Sequence, residues 1–255
     1  MIDRDSKVAL VVGGGTGIGY AAALRLAGRG FAVALAGRRE SVLGDAAERL
    51  RSEAPGAEVA IVAGDGGLEE EALHIVATAA DSLGGLDVLV NCAGIYEPVH
   101  FLELTGETWR RTMSATLDAQ LYVSVAAARR LAASGGGRIV LVSSINSPLS
   151  EPQSAHYSAA KAAVSSLVRS MAVDLSAHGI QANAIAPGWV HTSMVDDFVR
   201  SASPESLQRI NILGRVGRAD EIANTIEYLA VDAPDYLTGA TVFVDGGQTA
   251  MAPLP

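Results

Sequence analysis

A single cysteine, Cys92, stands in 255 residues. With no second thiol the chain cannot close an intrachain disulfide, which fits a reducing compartment. No apolar run is long enough to span a bilayer. The opening stretch, residues 1–7, is mixed in charge and lacks the pattern of a secretory signal. A cytoplasmic protein without a membrane partner is therefore expected. Basic residues are few and unclustered: 19 Lys and Arg stand against 28 Asp and Glu, a net charge of −9. No nucleic-acid partner is expected from that balance. His74, His100, His156 and His178 share no metal-ligand spacing, so no metal site is expected. No linker, low-complexity segment or repeat breaks the sequence, and residues 1–255 read as one domain.

What is present points to an α/β fold. Hydrophobic residues make up 49% and charged residues 18%, a composition suited to a sheet buried on both faces. Apolar, β-branched runs alternate with amphipathic stretches along the whole chain. Val8 to Val12, Phe31 to Ala36, Glu58 to Ala63, Asp87 to Val90, Arg138 to Ser143, Gln181 to Ala186 and Ala240 to Val244 read as strands. Helical spacing fills the gaps, including a long helix from about Glu107 to Ala133 and another from Ala155 to about His178. Ala219 to Val231 also reads as a helix, and Thr192 to Leu213 as irregular and helical in parts. Strands separated by helices of this length imply βαβ units and a parallel sheet.

Two stretches carry chemistry. Gly13-Gly14-Gly15-Thr16-Gly17-Ile18-Gly19 follows a strand and opens a helix, where backbone N–H groups can face a pyrophosphate. The alternative is a turn serving only tight packing. Gly37-Arg38-Arg39 ends the second strand. An acid there would bind ribose hydroxyls and favour NAD. None is present, and Arg38, with a lesser share from Arg39, suits a 2′-phosphate instead, unless the pair is simply solvated. In the second stretch, Tyr157 and Lys161 lie four residues apart, which puts phenol and ammonium on one helical face. An ammonium there favours phenolate and lowers the phenol pKa. Ser144 closes an apolar strand, where ligands bind in open α/β sheets.

Ser144, followed thirteen residues later by Tyr157-x-x-x-Lys161, resembles the catalytic signature of the short-chain dehydrogenase/reductase family. The glycine turn has that family's spacing, with Val12 where threonine is usual. Asn91-Cys92-Ala93-Gly94, Pro187-Gly188-Trp189-Val190-His191-Thr192 and Val244-Asp245-Gly246-Gly247 follow in the family's order. The resemblance covers about residues 7 to 247. It implies a Rossmann-like doubly wound domain with a central seven-stranded parallel sheet. Tyr157 is then the general acid/base, Ser144 orients the substrate oxygen, and Lys161 tunes Tyr157 and holds the nicotinamide ribose.

The cofactor residues implied are Gly13, Gly15, Thr16, Gly17, Ile18, Gly19, Arg38, Arg39, Asp65, Gly66, Asn91, Ala93, Gly94, Tyr157, Lys161, Pro187, Gly188, Val190 and Thr192. Asp65 matches the acid that meets the adenine, and Val190 and Thr192 the residues beside the carboxamide. Cys92 and His191 read as ordinary fold and loop residues. Thr116 stands where the family places a catalytic asparagine. That asparagine works through its main-chain carbonyl, so Thr116 is expected to keep the proton relay, its hydroxyl bonding back to Thr112 and bending the helix.

The expected function is an NADP(H)-dependent oxidoreductase interconverting a ketone and a secondary alcohol, with NAD(H) as the other possible cofactor. An NAD-preferring alcohol or sugar dehydrogenase and a non-catalytic dinucleotide-binding regulator are the alternatives. The substrate pocket should draw on Ile145 to Gln153, Trp189 and a segment at about 188–213. The family's packing of two Ala-rich helices between subunits implies a homotetramer.

Overall fold

Every side chain of the first strand, Val8–Val12, is buried. A strand covered on both faces needs apolar residues at successive positions and helices on either side. The computed structural model, which describes residues 7–192, 203, 206 and 209–251, has that arrangement. In chain order the elements are β1 (Val8–Val12), α1 (Gly17–Gly28), β2 (Ala32–Gly37), α2 (Glu40–Glu53), β3 (Val59–Ala63), α3 (Glu69–Leu83) and β4 (Val88–Asn91). There follow α4 (Gly106–Met113), α5 (Ala119–Ser134), β5 (Gly137–Val142), α6 (Ala155–Leu175), β6 (Ile180–Pro187), β7 (Val190–His191), β8 (Gly217–Arg218), α7 (Ala219–Glu227) and β9 (Thr241–Val244).

Seven strands pair in parallel in the order β3-β2-β1-β4-β5-β6-β9. The chain winds outward from β1 to β3, then returns to pair β4 against the other side of β1. That reversal opens a crevice at the carboxyl ends of β1 and β4, the place where ligands bind in such sheets. The two faces carry separate cores, set by strand alternation. Val8, Leu10 and Val12 pack with residues of α3, α5 and α6 on one face. Ala9 and Val11 pack with α1, α2 and α7 on the other.

The long helix expected over Glu107 to Ala133 is two helices, α4 and α5, joined by a wide π-type turn at Ser114–Asp118. Thr116, fully buried, sits in that turn. Its hydroxyl accepts from the Ile95 backbone N–H at 3.3 Å, so the expected bond back to Thr112 is replaced by a tie to the loop after β4. A second wide turn, Tyr228–Asp232, ends the helix expected to reach Val231. The β7–β8 pair was not expected, since two residues are too few to show an alternating pattern. Most of the segment expected to be irregular after Thr192, with Asp196 and Asp197, lies outside the described residues.

The glycine turn is shaped by both conformation and crowding. Gly13 has φ 74° and Gly17 has φ 53°, in the left-handed region that side-chain-bearing residues avoid. A Cβ on Gly19 would lie 2.2 Å from the Gly13 carbonyl oxygen, inside contact distance of backbone that cannot swing aside. Gly19→Ala must push α1 off the turn. Such overpacking costs about 1–3 kcal/mol, so the melting temperature should fall by about 3–10 °C. An unchanged melting curve in differential scanning calorimetry would show that the turn is looser than described.

Candidate active site

A cleft of about 320 Å³ opens at the carboxyl ends of the central strands. One end is walled by the glycine turn and by Arg38 and Arg39, the other by Ser144, Tyr157 and Lys161. Its position follows from the strand order, because β1, β2, β4, β5 and β6 all end there.

The catalytic end is assembled by α6 lying along β5 and β6. Lys161, only 3% exposed, donates from Nζ to the Val142 carbonyl at 2.7 Å. Its own carbonyl accepts from the Ser143 hydroxyl at 3.0 Å, and that hydroxyl also pairs with Ser165 at 2.8 Å. Gln120 Nε2 joins the ends of two strands by donating to the carbonyls of Ala93 and Val142, both at 3.0 Å. Ser144 Oγ accepts from the Asn146 N–H at 3.1 Å and faces the Tyr157 phenol. Tyr96 packs edge-on against Tyr157, with ring centres 5.1 Å apart and planes at 67°.

The electrostatics differ from the expectation that Lys161 lowers the Tyr157 pKa. Burial pushes the Tyr157 phenol up to about 12, opposed by the hydrogen bond from Ser144 and reinforced by Tyr96 and the Glu151 charge. Tyr157 is half-buried in the cleft wall, and the hydration its phenolate would lose there outweighs the opposing Ser144 hydrogen bond. Lys161 Nζ lies 5.7 Å from the centre of the Tyr157 ring, and burial wins. Burial also pulls Lys161 down to about 8. The Cys92 thiol was expected in the core but is half-buried and lines the cleft, its pKa pushed up to about 12 by lost hydration.

At the other end the chain has the features of an anion cradle. Thr16, which precedes α1, makes no side-chain capping bond to it, so the first N–H groups of the helix face the cleft without a side-chain acceptor. Gly13, Gly15, Thr16, Gly17, Ile18 and Gly19 all line the cleft, as do Asp65, Gly66, Ala93, Gly94, Pro187, Gly188, Val190 and Thr192. Arg38 and Arg39 are exposed at its rim. Asp65 turns one carboxylate oxygen to the Gly67 N–H at 2.9 Å, which fixes the loop after β3. Glycine at position 94 keeps the floor clear, since a Cβ there would come within 3.3 Å of Lys161 Nζ.

Two expected site residues stand behind the wall rather than in it. Asn91 is fully buried, donating to the Ala119 carbonyl at 3.1 Å and accepting from the Ala93 N–H at 3.0 Å. It therefore braces β4 against α5 and shapes the cleft indirectly. Thr116 likewise reaches the cleft only through the Ile95 loop that it holds. His191 is exposed and paired in β7, outside the lining. Sequence reasoning missed Tyr96 and passed over Glu151 as an individual. Tyr96 follows Gly94 closely, and that proximity to a motif was the available signal. Among the described residues no cluster of His, Cys, Asp and Glu could hold a metal, and no helix is long and apolar enough to cross a membrane.

Known proteins resemble this chain over nearly its whole length. The family model described as enoyl-(acyl carrier protein) reductase matches residues 13–249. The cis-4-hydroxycyclohexanecarboxylate dehydrogenase of Sinomonas cyclohexanicum is 40% identical over 96% of this chain and 97% of its own. The L-rhamnose 1-dehydrogenase (NAD(P)(+)) of a Sphingomonas strain is 36% identical over 96% of each chain. Among solved structures, a gluconate 5-dehydrogenase from Burkholderia cenocepacia, in complex with NADP and tartrate, superposes with a TM-score of 0.91 at 33% identity, covering 98% of both chains. Similarity of that extent places this chain in the short-chain dehydrogenase/reductase family, as an NAD(P)-dependent oxidoreductase acting on CH–OH and C=O groups.

Proposed function

We propose that the protein interconverts a ketone and a secondary alcohol with NADP(H) preferred over NAD(H), using Tyr157 as general acid/base. The observation that carries this reading is the meeting, in one cleft, of Ser144, Tyr157 and Lys161 with the glycine turn and an arginine-bearing rim. Bound nicotinamide would supply or accept the hydride. The chain's own residues handle the proton and the position of the substrate oxygen. Ser144 donates to that oxygen. Tyr157, held protonated well above neutral pH, gives it a proton in reduction. A phenol with a pKa of about 12 remains a competent donor to an alkoxide, which is a stronger base. Lys161, still charged at neutral pH, stabilises the phenolate left behind.

At the far end Arg38, on a strand end with no acid at Gly37, suits a 2′-phosphate by charge-assisted hydrogen bonding. The gluconate 5-dehydrogenase with bound NADP supports this cofactor by likeness. The L-rhamnose relative, named for both cofactors, keeps NAD(H) as the alternative.

Three outcomes test the reading. Tyr157→Phe keeps the ring and removes the transferable proton. It should bind NADPH within about twofold of wild type and lose about 10²–10⁴ in kcat, the usual worth of general acid catalysis. A variant with near wild-type kcat would remove Tyr157 from the mechanism.

Arg38→Ala should weaken NADPH by about tenfold, about 1.4 kcal/mol, and leave NADH almost unchanged. Fluorescence titration that finds both cofactors weakened alike would assign Arg38 a structural role.

The third outcome concerns pH. Lys161 is protonated below about 8 and neutral above it. For reduction, kcat/KM, which reports groups of the free enzyme, should be flat below that point and fall as pH rises through it. A profile that climbs between pH 8 and 10 would contradict the role given to the Lys161 charge.

A further inference from the structure

Glu151 is the carboxylate at the catalytic end of the cleft, and the reaction as derived makes no use of it. It lies in the loop between β5 and α6, and its backbone is fixed from both sides by one serine. Its N–H donates to Ser154 Oγ at 3.1 Å, and its carbonyl accepts from that hydroxyl at 2.6 Å. The carboxylate is fixed as well. Oε1 accepts from the Trp189 indole N–H at 2.9 Å, and Oε2 accepts from Asn146 Nδ2 at 3.4 Å. Asn146 is only 2% exposed, so this is a built position and not a solvated side chain passing through. An ionised carboxylate has about four acceptor sites. The two bonds leave capacity on both oxygens, and the residue lines the cleft. Its charge reaches the reacting end, because it raises the pKa of the hydroxyls of both Tyr157 and Tyr96.

The remaining charges are distributed in a way that decides what this carboxylate can do. Apart from Glu151, the Asp, Glu, Lys and Arg residues lining the cleft are Arg38, Arg39, Asp65 and Lys161. The first three belong to the ends of β2 and β3, at the far end. Lys161 gives one donor to the Val142 carbonyl and lies 5.7 Å from the centre of the Tyr157 ring, where its charge serves the phenolate. A substrate carboxylate entering beside Tyr157 would therefore meet Glu151 with no arginine among the described residues to receive it. A hydroxyl at the same place would find an acceptor, between the aromatic walls of Tyr96 and Trp189.

We infer that Glu151 is a specificity-determining residue that accepts a hydrogen bond from a hydroxyl beside the reacting carbon and repels anions, so that the pocket takes neutral vicinal diols and α-hydroxy ketones. This inference rests on the oxidoreductase reading only for what is done to the substrate once bound.

The test uses the NADPH-loaded protein, in which an alcohol cannot be oxidised and dissociation constants are read without turnover. Titration calorimetry compares cis-1,2-cyclohexanediol with cis-2-hydroxycyclohexanecarboxylate. Wild type should bind the diol at least about tenfold more tightly. Glu151→Gln, and Glu151→Ser as a second variant without the charge, should shrink that ratio at least about fivefold by admitting the acid. Glu151→Asp, which keeps the charge, should preserve most of it. Wild type binding the acid as tightly as the diol, or a ratio unmoved in both uncharged variants, overturns the inference. A parallel assay with NADP⁺ and the diol separates the two claims. Diol selectivity without turnover would count against the Tyr157 mechanism acting on this diol and leave the role of Glu151 standing. Turnover without selectivity would do the reverse.

Discussion

The hydrogen bond from Lys161 to the Val142 carbonyl is the constraint on which the catalytic end depends. A lysine buried to this degree is costly, because the charged form loses its hydration. That cost is visible in the fall of its pKa to about 8. The bond, with the Ser143 contacts to the Lys161 carbonyl and Ser165, locks α6 to the end of β5. Ser144 is the next residue after that contact, so fixing α6 sets the distance between the serine and Tyr157. Gln120 completes the bracket by tying the ends of β4 and β5 to α5. The polar bonds under the site are thus fully internal, and the site inherits the rigidity of the sheet.

The cleft divides its work between its two ends. The α1 end offers backbone N–H groups and glycine surfaces, which suit phosphates without regard to the rest of a ligand. The α6 end offers the Tyr157 phenol, the Ser144 hydroxyl, the Lys161 ammonium and the Glu151 carboxylate in fixed positions. Between them run Gly94, Pro187 and Gly188. A Cβ on Gly188 would lie 2.9 Å from the Asp245 backbone, so glycine there lets β6 and the segment after β9 approach closely. The same sheet therefore holds both ends in register.

What the sequence made legible was local. The glycine turn after β1, the Ser144 strand end and the Tyr157–Lys161 spacing each span a few residues, and all reach the cleft where they were expected. The alternation of strands and helices was legible for the same reason, because burial on both faces leaves continuous apolar runs. Nonlocal facts were not. The pairing of β1 with β4 depends on contacts across some eighty residues, which no pattern encodes. The raised pKa of Tyr157 depends on burial by many elements, while the sequence displays only the lysine one turn away. The contact between Trp189 and Glu151 joins two loops that are adjacent only once β5 and β6 pair. A bend at Thr116 was legible and the wide turn at Ser114–Asp118 falls there, but its partner, the Ile95 N–H outside the helix, was not.

The claim at the centre of this account is that hydride comes from the cofactor and the proton from Tyr157. An isotope experiment tests the hydride half of that claim directly, and the loss of kcat in Tyr157→Phe tests the proton half. NADPH carrying deuterium at both C4 positions is used to reduce 2-hydroxycyclohexanone in ordinary water, and the product is examined by proton NMR and mass spectrometry. The account predicts a single deuterium on the new carbinol carbon and none elsewhere in the product. A carbinol carbon carrying solvent hydrogen, with NADPH consumed, would contradict it.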